Sequence, residues 1–306
     1  MLQIIVFSFN RAIQLDALLT SFQKHWKTAG TVVDVIYNTS SAGFQEGYDL
    51  LIQRWQNNGS VRFHKENPSD KGYSFLEIIN PRNFIHLSHF PKLRHPRTDF
   101  RRLMIDLMAR SEAREVMFMT DDSLFISDVA IPDDVLSWIR EFPRQRQFSL
   151  RLGRGMNQEP PCVEQAGSYL SWNFSDAPQE RSNWGYHFSV DAHIYSKQVI
   201  LDLYRKYIFT NPNSLEGYIC ACIRSRGWLN QGRCFLSPKL LSYPINMVQD
   251  FNVNESMNCS PETMNRYFLD GYVLNYPVPD SPAEFQQYPP SVTLVKAGNS
   301  VVLKTM

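Results

Sequence analysis

The sequence predicts an α/β protein on a mainly parallel sheet, with helices on both faces. Three observations point there. Buried-looking, β-branched runs alternate with segments of helical spacing through the first ~125 residues. The strand-like runs are apolar almost throughout, as strands covered on both faces are. At 306 residues with 43% hydrophobic side chains, the chain can bury a sizeable core without disulfide or metal staples.

Each element follows from local pattern. Leu2 to Phe9 is a continuous apolar strand, broken by Asn10 and Arg11. Leu15, Leu18, Leu19 and Phe22 then recur at helical spacing. Thr31 to Tyr37 is a second β-branched run, ending in the polar turn Asn38 to Ser41, and Gly47 to Asn57 reads as helix. Val61 to His64 is a short third strand. Residues 80 to 98 read as irregular and basic, with three prolines. Asp99 is placed to cap a helix that puts Phe100, Met104 and Met108 on one face. Val116 to Met119 is a fourth buried strand running into Thr120-Asp121-Asp122-Ser123. Beyond it the pattern predicts a helix over 134–142, strands over 148–152, 169–174 and 187–195, and a helix over 199–207. A further helix, Leu215 to Arg226, is stopped by Gly227, and a hairpin closes on Gly298-Asn299.

Composition narrows the function. Lys+Arg is 31 against Asp+Glu 30, so global charge gives no case for nucleic acid or an anionic membrane. Five cysteines, an odd number with no C-x-x-C pair, suit reduced thiols. The opening MLQIIVFSFN reads as a strand rather than a leader, and no apolar run approaches a membrane span, so a cytoplasmic location is expected. Aromatic residues reach 13%, which suits a heavy core with some rings lining a concave site for a flat or sugar-like ligand.

Ligands of parallel sheets bind beyond the carboxyl ends of the strands. Those ends carry Asn10 and Arg11, Asn38 to Ser41, His64 to Asn67, and Asp121 with Asp122. An adjacent carboxylate pair with no obvious cation suits a hard divalent metal, which usually takes substrate phosphates as further ligands.

Four segments carry a resemblance to a known family. FSFNR with the following LDALLTSF, then FMTDDSLF, WGYHFSVDAHIYSKQVI and LEGYICACIRSRGW occur in order over roughly residues 2 to 230. They resemble the corresponding segments of family-two glycosyltransferases. The resemblance implies a GT-A-like fold: a mainly parallel Rossmann-type sheet flanked by helices, with a small antiparallel acceptor-side extension. It implies residues 1–125 as the nucleotide-sugar-binding half, and 126–306 as the acceptor-binding half and C-terminal extension of one continuous domain. The implied activity is metal-dependent transfer of a sugar from a nucleoside-diphosphate sugar to a carbohydrate hydroxyl, inverting at C1, as in polysaccharide biosynthesis.

The resemblance assigns roles residue by residue. Thr120-Asp121-Asp122 stands where the family has Asp-x-Asp, which puts Asp122 on the Mn²⁺ or Mg²⁺ position and Thr120 in place of the first carboxylate. Ser8, Asn10, Tyr37, Asn38, Thr120 and Asp121 fall on the donor side; Arg11 and the Arg101/Arg102 pair are diphosphate candidates by their own chemistry, since a guanidinium suits bidentate phosphate contact. The family's second-strand Asp is missing, with Tyr37 and Asn38 in its region. Glu216 falls on the family's base, at the start of a helix, with Asp191 the other acidic candidate. Trp184, Tyr186 and His193 fall on the acceptor side. Two other readings stand beside this one: a degenerate carbohydrate-binding protein of the same fold, favoured by Thr120, and a nucleotidyltransferase, disfavoured because Phe9 to Ala12 contains no glycine.

Overall fold

The computed structural model describes residues 1–69, 72–79, 98–178, 183–248 and 256–304. Almost all of the irregular basic segment read at 80–98 lies outside the described residues.

The first half alternates as its pattern predicts. Strand β1 (Leu2–Phe9) leads to α1 (Ala12–His25), β2 (Val32–Asn38) to α2 (Ala42–Trp55), and β3 (Val61–Lys65) to the short α3 (Phe75–Ile78). Helix α4 (Phe100–Arg110) precedes β4 (Glu115–Thr120). Next come β5 (Ser123–Phe125), α5 (Asp133–Glu141), β6 (Arg146–Ser149), β7 (Glu164–Ala166) and β8 (Tyr169–Asn173). Strand β9 (His193–Ser196), α6 (Lys197–Lys206), α7 (Pro212–Ser225), β10 (Gln231–Phe235) and β11 (Leu240–Ser242) follow. The described chain ends with α8 (Pro261–Leu269), β12 (Val273–Asn275), β13 (Ser291–Lys296) and β14 (Asn299–Lys304).

Among the described residues, nine strands form one sheet in the order β3-β2-β1-β4-β9-β6-β10-β8-β7. The ladder between β3 and β4 is parallel. Strands β9 and β8 run against their neighbours, so the other seven share one direction. A small antiparallel sheet joins β12, β13 and β14, and β5 pairs with β11. The hairpin turns through Gly298 at φ +77, a conformation glycine adopts without Cβ strain.

The strand alternation explains the two-sided core. Ile4 and Val6 of β1 pack with Leu15, Leu18 and Tyr48 of α1 and α2 on one face. Ile5 and Phe7 pack with Phe100, Met104 and Tyr204 of α4 and α6 on the other. Successive side chains of a strand point to opposite faces, so an unbroken apolar run needs cover on both. Among the described residues, no helix is long and apolar enough to cross a membrane.

Several boundaries differ from expectation, for local reasons. Helix α2 begins at Ala42 because Ser41 caps it, its hydroxyl accepting from Phe44 N. Helix α7 begins at Pro212, capped by Asn211 in a reciprocal box with Ser214. Asp99 precedes α4 without capping it; its carboxylate accepts from Asn67 N and Arg102 instead. The strand expected over 187–195 is reduced to His193–Ser196. Ala192 sits at φ +55, and Ser189 N donates to Tyr195 Oη, so the preceding segment turns rather than extends.

Candidate active site

The carboxyl ends of β1, β2 and β4 lie together and are wired to one another. Asn10 follows β1 at φ +56, a left-handed conformation that Asn tolerates better than most residues. Its amide donates to Ser40 Oγ at 2.8 Å and accepts from Ser40 N at 2.9 Å, fastening the β1 turn to the β2 turn. Asn38 holds the same turn, accepting from Thr39 N at 2.8 Å. Tyr37 is buried and stacks on Tyr48 with ring centres 4.6 Å apart.

Asp121 belongs to this wiring. It is 3% exposed. Its Oδ2 accepts from Ser8 Oγ at 2.8 Å and from Phe9 N at 3.3 Å, and its Oδ1 pairs with Arg11 Nη1 at 3.0 Å. Burial pushes the Asp121 carboxyl up to about 6, with Asp122 adding to the rise and Arg11 opposing it. Arg11 is engaged on every nitrogen: Nε donates to Asn246 Oδ1 at 2.7 Å, Nη2 donates to the Asn246 carbonyl, and Nη1 reaches both aspartates. Burial favours neutral Arg11, but the two carboxylates outweigh it and hold the guanidinium charged.

Asp122 turns the other way. Its Oδ1 lies 2.8 Å from Thr120 Oγ1, and the same hydroxyl lies 2.8 Å from Asp191 Oδ1. A hydroxyl has one proton, so it donates to one of these carboxylates at a time. Asp191 sits in the turn before β9, where its Oδ2 is 3.4 Å from Arg151 Nη1. Burial raises the Asp191 pKa, Asp122 adds to it, and Arg151 and Thr120 oppose it. Glu216, in the first turns of α7, accepts from Val190 N at 3.0 Å, one residue from Asp191. Burial first, then the charge of Asp191, pushes the Glu216 carboxyl up to about 7. Tyr186 stays beside this group: its phenol is driven up by burial and then by Glu216.

Five expected site residues are placed otherwise. Arg11 and Asp121 neutralise each other inside the protein, so neither presents a free group to a diphosphate. Arg101 donates through Nε to Tyr207 O at 2.9 Å and through Nη2 to Arg205 O at 3.0 Å, closing the carboxyl end of α6. Trp184 is fully buried, its indole donating to Met156 O at 2.8 Å, and offers no face to an acceptor. His193 is also fully buried, Nδ1 facing Gln147 Oε1 at 2.8 Å, and burial followed by Arg151 holds its pKa well below the usual range.

Sequence reasoning missed Arg151, Tyr48 and Asn246. Arg151 left a signal, as a lone cation in the apolar run FSLRL. Tyr48 and Asn246 left none, since a Tyr in an amphipathic helix and an Asn in a loop are ordinary.

A hard cation fits Asp122 in one way. Its carboxylate and the Thr120 hydroxyl are oxygen donors of the kind Mg²⁺ and Mn²⁺ take. Among the described residues no three Asp, Glu, His or Cys side chains gather into a metal cage. The arrangement therefore suits a cation that completes its shell with substrate oxygens and does not suit a structural metal.

No protein-family model and no curated protein matches the chain. Among solved structures, the TarS fragment 1–349 of S. aureus shares 14% identity at a TM-score of 0.45, over 79% of this chain and 60% of that one. The same fragment in complex with UDP-GlcNAc gives 14% and 0.42, over 78% and 57%. The mannosyltransferase PcManGT from Pyrobaculum calidifontis, in complex with GDP-Man and Mn²⁺, gives 11% and 0.39, over 78% and 54%. This chain thus spans about three fifths of the TarS fragment. Likeness at this level carries no argument about activity, which rests on the chain's own residues.

Proposed function

We propose that the chain is a nucleotide-sugar-dependent glycosyltransferase of the GT-A type, moving a sugar from a nucleoside diphosphate to a carbohydrate hydroxyl with inversion at C1. One observation supports it above the others. Thr120 and Asp122 at the end of β4 share a hydrogen-bonded group with Asp191, 71 residues beyond Thr120, and Glu216 joins them through the Asp191 turn. The carboxylates come from separate segments and meet at the end of the sheet where ligands bind.

Asp122, backed by Thr120, would hold Mn²⁺ or Mg²⁺, which when bound supplies Lewis-acid stabilisation of charge on the departing diphosphate. Asn10 and Asn38, at the ends of β1 and β2, form the donor side, with the buried Tyr37–Tyr48 stack behind them. Ser8 and Asp121 hold that side rigid from within. Glu216 takes the proton of the acceptor hydroxyl as its oxygen bonds to C1. The C1–O bond to the diphosphate breaks in the same step, and its electron pair leaves with the phosphate. A carboxyl raised to about 7 is matched to accepting a proton near neutral pH. Tyr186 flanks the acceptor side.

A non-catalytic carbohydrate-binding protein is the competing reading, favoured by Thr120 in place of a carboxylate. Calorimetry with UDP and GDP, with and without Mn²⁺, followed by a nucleotide-sugar transfer screen, separates them. Metal-dependent nucleotide binding with transfer supports the enzyme. Glu216→Gln is then expected to lower transfer by about 10²–10⁴-fold while nucleotide affinity holds. Sugar binding without any nucleotide binding supports the competitor.

A further inference from the structure

The end of β4 has a neighbour from the last part of the chain. Strand β11 pairs with β5, setting Ser242 opposite Ser123, and Tyr243 then donates its backbone N–H to the Asp122 carbonyl at 2.7 Å. Further along the same segment, Asn246 takes Arg11 Nε on its Oδ1 at 2.7 Å. The segment is thereby tied to both Asp122 and Arg11. Tyr276, which follows β12, lies on it. Its ring centre is 4.5 Å from that of the fully buried Tyr243, and Tyr243 Oη donates to Pro277 O at 2.6 Å. The connection from β12 to β13 is fastened again further on: Ser242 N donates to Phe285 O at 3.0 Å, and Gln287 N donates to Ser242 O at 2.8 Å. Tyr276 is therefore held on the Tyr243 ring at the end of β4.

Packing accounts for the ring of Tyr276 but not for its hydroxyl, since a phenylalanine would stack on Tyr243 as well. A buried phenol usually finds a hydrogen-bond partner, as Tyr243 does in Pro277 O and Tyr48 does in Ser8 Oγ. Tyr276 is half-buried, and its Oη has no partner among the described residues. Asp122, then Arg11 and Asp121, are the charges that act on it. Nearby, Asn246 is 1% exposed, and its Nδ2 is unpaired too. Two donors are thus left over beside carboxylates that already have their own: Ser8, Phe9 N and Arg11 for Asp121, Thr120 and Arg11 for Asp122. Spare donors are costly unless something accepts from them, and this is the end of the sheet where ligands bind.

We propose that Tyr276 is a ligand-contacting residue, its hydroxyl donating to a diphosphate oxygen of a nucleotide bound at Asp122. The proposal rests on the glycosyltransferase reading for the identity of that ligand. It brings to the donor side a residue from beyond the segments that carry the sequence resemblance, which end near residue 230. A phenol suits the place, because it keeps its proton at neutral pH and offers a donor without adding negative charge to the two aspartates.

The test is calorimetry on the full chain with UDP, GDP and inorganic pyrophosphate, each with Mn²⁺. Tyr276→Phe keeps the ring on Tyr243 and removes only the hydroxyl, so its melting temperature should stay within about 1 °C of the parent's. Its affinity for the nucleotide that the parent binds is expected to fall about 10-fold or more, the loss of one hydrogen bond to a charged group. Pyrophosphate, which has no base or ribose, should lose a similar factor. Nucleotide affinity within about 2-fold of the parent's overturns the proposal and leaves Tyr276 as cover for Tyr243. A loss seen with the nucleotide but not with pyrophosphate places the contact on the nucleoside and also overturns it. So does a loss accompanied by a melting temperature lowered by several degrees, because the hydroxyl would then act through the fold. The glycosyltransferase reading fails separately. A parent that binds pyrophosphate but neither nucleotide, or binds nucleotide without transferring sugar, removes that reading, while a loss of affinity in Tyr276→Phe still supports the contact. A parent that binds none of the three probes overturns both.

Discussion

The two carboxylates at the end of β4 live in different surroundings. Asp121 points back into the protein, where Ser8, Phe9 N and Arg11 occupy its oxygens. Asp122 points toward the Asp191 turn, with a single hydroxyl shared between them and part of its side chain open to solvent. Both lie in the turn that follows β4 and both reach Arg11 Nη1, at 3.0 and 3.4 Å, so what separates them is their remaining partners. One region is saturated and locks β1 to β4. The other brings Asp122, Asp191 and Glu216 together, and burial raises the proton affinity of Asp191 and Glu216, with each one's carboxylate neighbour adding to it. The difference is one of company: Asp121 is answered by a cation and two donors, while Asp122, besides Arg11, shares one hydroxyl with a second carboxylate.

The largest expected effect follows from Asp122. Asp122→Asn should abolish metal-dependent nucleotide binding while changing the melting temperature little, because a partly open carboxylate at a strand end adds little to stability. Calorimetry with UDP and Mn²⁺ checks it. Nucleotide binding at the parent's affinity would move the metal role away from Asp122.

Asp121→Asn should do the reverse. It leaves Arg11 buried beside a neutral partner, and breaking a buried pair costs about 3 kcal/mol or more. Asp122 still lies 3.4 Å from Arg11, which keeps the loss near that lower figure. Urea unfolding measures it. A variant as stable as the parent would mean that the strand-end lock contributes nothing, and the contrast between the two aspartates would collapse.

A smaller effect concerns pH. Glu216 holds its proton to about 7 in the fold and ordinarily loses it near 4.5. Between those values the folded state binds more protons than the unfolded one, so stability falls as pH rises through that window and then levels off. Glu216→Gln removes this penalty. Its melting temperature should match the parent's near pH 4 and exceed it at pH 8, by a few degrees. A melting curve that tracks the parent at both pH values would show that Glu216 ionises freely, as an ordinary surface carboxylate does.

The first four strands and their helices were legible because both faces of the sheet are buried, leaving unbroken apolar runs such as Leu2 to Phe9. The strand-end residues were legible for the same reason, since Asn10, Asn38 and Asp121 had to follow those runs. Which carboxylate faces the cleft was harder to read. The alignment register favoured Asp122, but the commitment of Asp121 to Arg11 depends on a side chain 110 residues away. The second half was less legible because its strands are short and its turns depend on tertiary contacts. The segment before β9 reads as a strand, yet Ala192 at φ +55 and the bond from Ser189 N to Tyr195 Oη bend it. That bend is what places Asp191 beside Thr120. Trp184 and Arg101 misled because an aromatic ring and a guanidinium look alike in sequence whether they meet a ligand or the interior.

Arg101 supplies the smallest effect, and it tests whether the donor side ends at the strand ends. Its guanidinium bonds the carbonyls of Arg205 and Tyr207 and lies 5.9 Å from the Phe209 ring. Arg101→Ala removes two charge-assisted hydrogen bonds from a partly exposed helix end. The cost should be about 1 kcal/mol, since such contacts at a helix carboxyl terminus are individually modest and solvent screens them. Nucleotide affinity should stay within about 2-fold, because the side chain reaches no group of the Asp122 cluster. A diphosphate ligand would behave differently: losing one bidentate arginine contact costs roughly 2 kcal/mol, or about 30-fold in affinity. Paired measurements of urea unfolding and UDP binding on Arg101→Ala therefore decide its role. A stable protein with nucleotide affinity lowered about 30-fold would extend the donor side to α4, and a slightly destabilised protein with unchanged affinity confines it to the ends of β1, β2 and β4.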